Sequence, residues 1–107
     1  MLFRFGISKV GFYTGTGNNV NVDCGFSSGA RFIMIKRVSG GTSNWYVWDT
    51  TSGIGSGNDP YFLIDSAAEY TNNDFIDPLN SGFTVTSNAG STVLNSSGST
   101  YMFLAIA

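Results

Sequence analysis

Apolar and polar residues alternate with a period of two along much of this chain. Between residues 19 and 26, Val20, Val22, Cys24 and Phe26 alternate with polar residues or glycine. Successive side chains of a β-strand point to opposite faces, so this pattern predicts a strand with one buried and one solvated face. Residues 3–14 alternate too, but the apolar positions change parity after Ser8-Lys9. The change predicts a bend or bulge at that point.

The segment 30–38 is apolar at consecutive positions in its middle, which indicates a central strand covered on both faces. A hairpin loop at 39–43 leads into residues 44–50. There the alternation places Trp45 and Val47 on one face of the strand and Tyr46 and Trp48 on the other. This second strand therefore carries aromatic side chains on both faces.

Four further strands are predicted at 60–65, at 82–87, at 100–106 and, more weakly, around Val93-Leu94. Residues 66–70 match a capping-box spacing and are predicted to form one helical turn or an irregular segment. Residues 75–79 are predicted to form a loop anchored by buried apolar residues. No segment sustains a helical period, so about eight short strands form one all-β domain over residues 1–107, an antiparallel β-sandwich of jelly-roll type. The last strand is expected inside its sheet or beside the first strand.

The composition agrees with a folded domain that is rich in turns. Gly, Ser, Thr and Asn make up 48 of the 107 residues, and the aromatic share of 15% is too high for a disordered chain. Cys24 has no second cysteine to pair with, and it is expected to be a buried apolar residue in a reducing compartment. Neither a signal peptide nor a membrane-spanning helix is expected, because the apolar runs at both ends are short.

Histidine is absent from the sequence, which excludes imidazole catalysis and imidazole-ligated metal within this chain. We expect no enzyme, no cofactor and no metal site, although the acidic residues leave two alternatives that are considered below. The five basic residues and Asp23 precede residue 48 and give a local charge of +4, whereas the six remaining acids follow and give −6. Five scattered basic residues are too few for a nucleic-acid interface. Folding could intermix the charges; alternatively, the basic residues contact an acidic partner: Arg4, Lys9, Arg31, Lys36 and Arg37.

Six segments in a fixed order carry a resemblance to a known family. They are residues 10–17 (VGFYTGTG), 32–37 (FIMIKR), 44–49 (NWYVWD), 66–69 (SAAE), 82–85 (GFTV) and 101–105 (YMFLA). Together they resemble a small β-sandwich domain of tailed-phage virion proteins, which include tail-fibre and head-surface proteins. The resemblance spans nearly the whole chain, and it implies a structural or attachment role without an active site.

The resemblance implies a virion protein that assembles in the host cytoplasm. We expect a capsid decoration protein that docks on the shell as a homo-oligomer, with a trimer favoured. Its partner would be the major capsid protein or a tail component, with no contact to a membrane. The alternative is a tail-fibre or receptor-binding module that recognises a glycan on the host surface.

The aromatic residues offer a candidate glycan site. Trp45, Tyr46, Trp48 and Tyr61 lie close together in sequence, and flat aromatic rings match the apolar face of a sugar. The competing interpretation, which we favour, is that these side chains fill the core and that the opposite face packs on a neighbouring subunit.

The acidic residues of the second half offer two further alternatives. Asp59, Asp65, Asp74 and Asp77 could supply oxygen ligands for calcium, although the ordered EF-hand loop is absent. Two carboxylates across a cleft could also hydrolyse a glycoside. Turn formation by Asp and Asn is the favoured interpretation. The triplet Asn95-Ser96-Ser97 matches a glycosylation acceptor, which has no meaning in a bacterial host.

Overall fold

The computed structural model describes residues 7–39, 45–50, 53–64, 69–70, 73–89 and 94–107, with backbone alone at 69–70. These residues form nine strands and a short 3-10 turn at Ser87–Ala89. The strands are β1 (Ser8–Thr14), β2 (Val20–Asp23), β3 (Phe32–Arg37), β4 (Tyr46–Asp49), β5 (Tyr61–Leu63), β6 (Glu69–Tyr70), β7 (Ile76–Leu79), β8 (Gly82–Val85) and β9 (Thr100–Ile106). The all-β class predicted from the alternation is confirmed.

The described strands form two antiparallel sheets. The larger sheet has the order β1-β9-β3-β4-β5-β6, and the smaller one has the order β2-β8-β7. The predictions for the central strands are confirmed, since β9 lies between β1 and β3, and β3 lies between β9 and β4. The chain crosses from the larger sheet to the smaller one after β1 and returns after β2, so both sheets contain segments from both ends of the sequence.

The inner faces of the two sheets share one apolar core. In the larger sheet, Ile33, Trp48 and Tyr101 are fully buried, and in the smaller sheet Phe83 and Val85 are fully buried. Alternate residues of each strand supply these side chains, as the period of two requires. A buried polar contact also crosses the core, because the Tyr13 hydroxyl donates a 2.9 Å hydrogen bond to the Leu94 carbonyl. Beyond these confirmed features, the jelly-roll type of packing stays a prediction.

Four local predictions were wrong or incomplete. The expected loop at 75–79 contains β7, which pairs with β8 as a hairpin, so its backbone hydrogen bonds are made in a sheet. Glu69–Tyr70 forms β6 beside β5 rather than a helical turn, while residues 65–68 lie outside the described residues. Leu94 is buried but lies in no strand, and Val93 is outside the described part. The bend expected at Ser8-Lys9 falls at the start of β1, and the residues before residue 7 lie outside the described part of the chain.

Candidate functional site

The larger sheet has a second face that points away from the core, which we call the outer face. The register of β1, β9, β3, β4 and β5 arranges its side chains in three rows across the strands. The first row is Phe12, Met102, Lys36, Trp45 and Ile64; the middle row is Val10, Leu104, Met34, Val47 and Phe62; the third row is Ser8, Ile106, Phe32 and Asp49. Eleven of these fourteen side chains are apolar.

The outer face is accessible to solvent. Val10 is 66% exposed, Phe12 is 65% exposed and Ile64 is 59% exposed, while the side chains of the central strands are half-buried by their neighbours. Lys36 lies over the ring of Trp45, with its Nζ atom 5.8 Å from the ring centroid, so even this charged side chain covers apolar surface. A contiguous exposed apolar surface of this kind marks an interaction site in a soluble protein.

The continuous apolar run in β3 explains why both faces of the larger sheet are apolar at its centre. In β3, Ile33 and Ile35 point into the core, while Phe32 and Met34 point outward. The sequence predicted a central strand that is covered on both faces. In the described part of the chain, the core covers the inner face, and no described strand covers the outer one.

The candidate glycan platform does not form one surface. Trp48 is fully buried and Tyr61 is 6% exposed, so neither ring offers a face to a ligand. Tyr46 stacks on Trp48 with ring centroids 6.0 Å apart and also contacts Tyr61. Trp45 points to the outer face instead. The grouping of these four residues as a platform was wrong, because successive residues of a strand point in opposite directions.

The candidate basic contacts are also separated. Lys9 pairs with Ala105 in the register, whereas Arg37 pairs with Tyr101, four residues further along β9. This spacing corresponds to about 13 Å along the strand. Arg31 donates from Nε to the Ala107 carbonyl. The described basic residues therefore do not form one cluster, and Arg4 lies outside the described part. Their contact with an acidic partner stays a prediction.

Lys36 and Arg37 follow each other in β3 and so point to opposite faces of the sheet. Arg37 donates to the Ser99 hydroxyl at 2.8 Å, toward the loop that precedes β9. Of the basic residues that the structure describes in its strands, Lys36 is the one that the register places on the outer face.

Three of the candidate calcium ligands do come together. Burial of its carboxyl raises the pKa of Asp59 to about 6. The hydrogen bond from the Gly55 amide lowers this pKa by less than burial raises it, and the charges of Asp74 and Asp77 add to the increase. Burial, followed by the hydrogen bond and charge of Asp74, also raises the pKa of Asp77 to about 6. Among the described side chains, no group of three is arranged to hold a metal ion, and Asp65 lies outside them. The arrangement favours proton binding.

A pocket of about 350 Å³ lies between β1 and β2. Its lining includes the charged residues Lys9 and Asp23, together with Gly11 and Phe103. A Cβ atom at Gly11 would lie 3.1 Å from the Phe103 ring, so the missing side chain at residue 11 is what lets this ring pack there. Cys24 is buried, as predicted, and desolvation together with the charge of Asp23 raises its thiol pKa to about 11.

Comparison with known proteins adds one assignment. No curated protein and no solved structure matches this chain. Within the described residues, no helix is long and apolar enough to cross a membrane. A family model described as a domain of unknown function, DUF7483, matches residues 4–107. Because this match spans nearly the whole sequence, the chain belongs to the DUF7483 family.

Proposed function

We propose that this chain is a structural protein of a phage virion, most specifically a decoration protein on the head surface that works as a homo-oligomer. The major capsid protein, or else a tail component, is its larger partner, and assembly takes place in the host cytoplasm. The outer face carries this proposal, because eleven apolar side chains on an exposed sheet need a protein surface to cover them. The six-segment resemblance to tailed-phage virion domains supports it independently.

Covering the outer face supplies the free energy of assembly. Removing apolar surface from water stabilises a complex by about 25 cal/mol per Å², before the cost of ordering the partners. A protein that binds only the assembled particle stabilises that particle, since binding lowers the free energy of the bound state alone. The proposed mechanism is thus reinforcement of a shell through burial of sheet surface, and no bond is made or broken.

Two features favour this role over glycan recognition. Trp48 and Tyr61 pack in the core, so the four aromatic residues considered for glycan stacking do not share one exposed surface. The separated basic residues also support apolar burial, rather than charge, as the main source of affinity. We therefore propose no glycan site.

Composition analysis and reconstruction of the purified virion test this role. We expect mass spectrometry to find this chain in the particle, and cryo-electron microscopy to place hundreds of copies on the head. A few copies at the tail would contradict head decoration and favour a role in the tail fibre. Absence of the chain from the particle would overturn the virion role altogether.

A further inference from the structure

We propose that Asp59, Asp74 and Asp77, here called the acidic site, bind one calcium ion, with Asp74 and Asp77 as its side-chain ligands. Asp59 precedes β5 of the larger sheet, whereas Asp77 lies on β7 of the smaller one. A bound ion therefore links the two sheets. The acidic site is independent of the proposed virion role, because none of its residues belongs to the three rows of the outer face.

Three carboxylate oxygens of the acidic site are buried without a hydrogen-bond partner among the described residues. They are Asp59 Oδ2, Asp74 Oδ1 and Asp77 Oδ1. Asp59 is only 2% exposed, and its other oxygen, Oδ1, accepts a 2.7 Å hydrogen bond from the Gly55 amide. Burying a carboxylate oxygen that has no donor costs free energy unless a proton or a cation satisfies it. The acidic site therefore calls for a positively charged ligand.

The carboxyl groups of Asp74 and Asp77 lie close enough to share a hydrogen bond, which requires a proton on one of them. Ionised carboxylates only accept hydrogen bonds, so the ionised pair has nothing of its own to hold it together. Asp59 adds a third charge, since Asp74 and Asp77 both repel it. A divalent cation between Asp74 and Asp77 replaces this repulsion by attraction to both carboxylates.

Hydrogen bonds already hold the backbone of the acidic site in place. The Asn73 carbonyl accepts from the Asp59 amide at 3.1 Å, and the Asn73 side chain accepts from the Tyr61 hydroxyl at 2.7 Å. The Asp74 carbonyl accepts from the Thr86 hydroxyl. These bonds connect residues 73–74 to the loop before β5, to β5 itself and to the segment after β8. Ligands that are fixed in this way lose little conformational entropy when an ion binds.

Calcium is the cation that suits this arrangement best, because carboxylate oxygens bind hard cations. Among the described side chains, no group of three is arranged to hold a metal ion, so the proposed ion takes two side chains. Calcium completes such a shell with backbone carbonyls and water, in a flexible geometry of about six to eight oxygens. Magnesium demands a nearly ideal octahedron and is expected to bind more weakly.

Equilibrium dialysis of the purified full chain against radiolabelled calcium tests the acidic site. We expect one ion per chain, with a dissociation constant of about 10⁻⁴ to 10⁻³ M at neutral pH. Because the ion binds the folded state, about 10 mM calcium chloride should raise Tm by at least about 5 °C relative to buffer with EDTA. Magnesium chloride at the same concentration should give less than half of this rise. Sodium chloride of matched ionic strength measures charge screening alone and should leave Tm nearly unchanged.

Asp77→Asn keeps the shape of the side chain and removes one charged ligand, so it should weaken calcium binding at least tenfold. In calcium-free buffer at pH 7 this variant should be at least as stable as wild type, so that lost binding does not reflect unfolding. Asp59→Asn removes charge without removing a ligand and should weaken binding less than Asp77→Asn does. Asp23→Asn is the matched control, because it removes an exposed carboxylate outside the acidic site and should leave the dissociation constant unchanged.

The outcomes separate this inference from the proposed function. Absence of calcium binding up to about 10 mM, or an equal rise of Tm in calcium, magnesium and sodium salts, would overturn the acidic site. An unchanged dissociation constant in Asp77→Asn would also overturn it, because the ion would then lie elsewhere. A chain that binds calcium as expected but is absent from the virion would support the acidic site and overturn the virion role. A virion protein without calcium affinity would do the reverse.

Discussion

Phe83 of β8 and Phe103 of β9 meet edge to face, with ring centroids 5.4 Å apart and planes at 80°. Because β8 belongs to the smaller sheet and β9 to the larger, this ring pair joins the two halves of the domain. Both rings are buried, and Phe103 also packs over Gly11. This aromatic pair is therefore one of the contacts through which the two sheets share their core.

Loss of this pair should destabilise the protein cooperatively. We expect Phe103→Ala to lower the free energy of unfolding by about 3 to 5 kcal/mol, the cost of a large cavity. In a double-mutant cycle of Phe83→Leu and Phe103→Leu, we expect a coupling of about 1 kcal/mol from the ring contact, measured by urea denaturation. Phe12→Leu changes an exposed ring on the opposite side of the sheet, and combined with Phe83→Leu it should be additive. A coupling of zero between Phe83 and Phe103 would contradict the packing.

Gly82 begins β8 at a point where the β2 backbone passes too close for any side chain. A Cβ atom there would overlap the Val22 carbonyl oxygen and lie 3.0 Å from the Cys24 amide nitrogen. We expect Gly82→Ala to lower the free energy of unfolding by at least about 3 kcal/mol. The backbone atoms of β2 cannot move aside without breaking their hydrogen bonds to β8. Gly57→Ala is the control, since nothing lies within 4 Å of its added Cβ. Equal urea midpoints for the two variants would refute the close approach.

Asn95 is fully buried, and its amide joins two distant loops. Its Nδ2 donates to the carbonyls of Asn18 and Thr86, and its Oδ1 accepts from the amides of Thr16 and Gly17. Asn95→Asp keeps the shape of the side chain but places a carboxylate oxygen against two carbonyls. Although only one atom changes, we expect the free energy of unfolding at pH 7 to fall by about 3 kcal/mol. Thermal denaturation measures this change. Asn80→Asp, at an exposed position, is the control and should change stability by less than about 0.5 kcal/mol.

The carboxyls of Asp59 and Asp77 give stability an unusual dependence on pH. Burial raises both pKa values from 3.8 to about 6 in the folded chain, so the folded state binds these protons more tightly than the unfolded state. Their contribution is fully present below about pH 4 and is lost as the pH rises through 6. We expect Tm to fall between pH 4.5 and 7.5.

Asp77→Asn removes one of these titrations and should flatten the fall of Tm with pH. At pH 7 it should raise Tm by a few degrees, the change expected for about 1 kcal/mol. Asp23→Asn, at an exposed position, removes a charge of the same sign and should preserve the slope. Calorimetry in buffers of matched ionic strength measures Tm at each pH. An identical slope of Tm against pH in Asp77→Asn and wild type would count against the raised pKa of Asp77.

The sequence alone determined the fold class and the direction of individual side chains. A period of two is a local property of extended backbone, so the alternation at 19–26 predicted β2, and it placed Tyr46 and Trp48 opposite Trp45 and Val47. Continuous apolar runs likewise identified β3 and β9 as interior strands. These features require no knowledge of distant residues.

The tertiary structure decided which segments meet. Residues 76–79 contain a proline and an aspartate and look like a loop, yet pairing with β8 makes them a strand. Asn95 looks like one of many turn residues until Thr16, far away in sequence, supplies its partner. The outer face exists because the register places Val10 beside Leu104 and Leu104 beside Met34. Such pairings depend on the closure of long loops and on shared burial, and no local pattern encodes either of them.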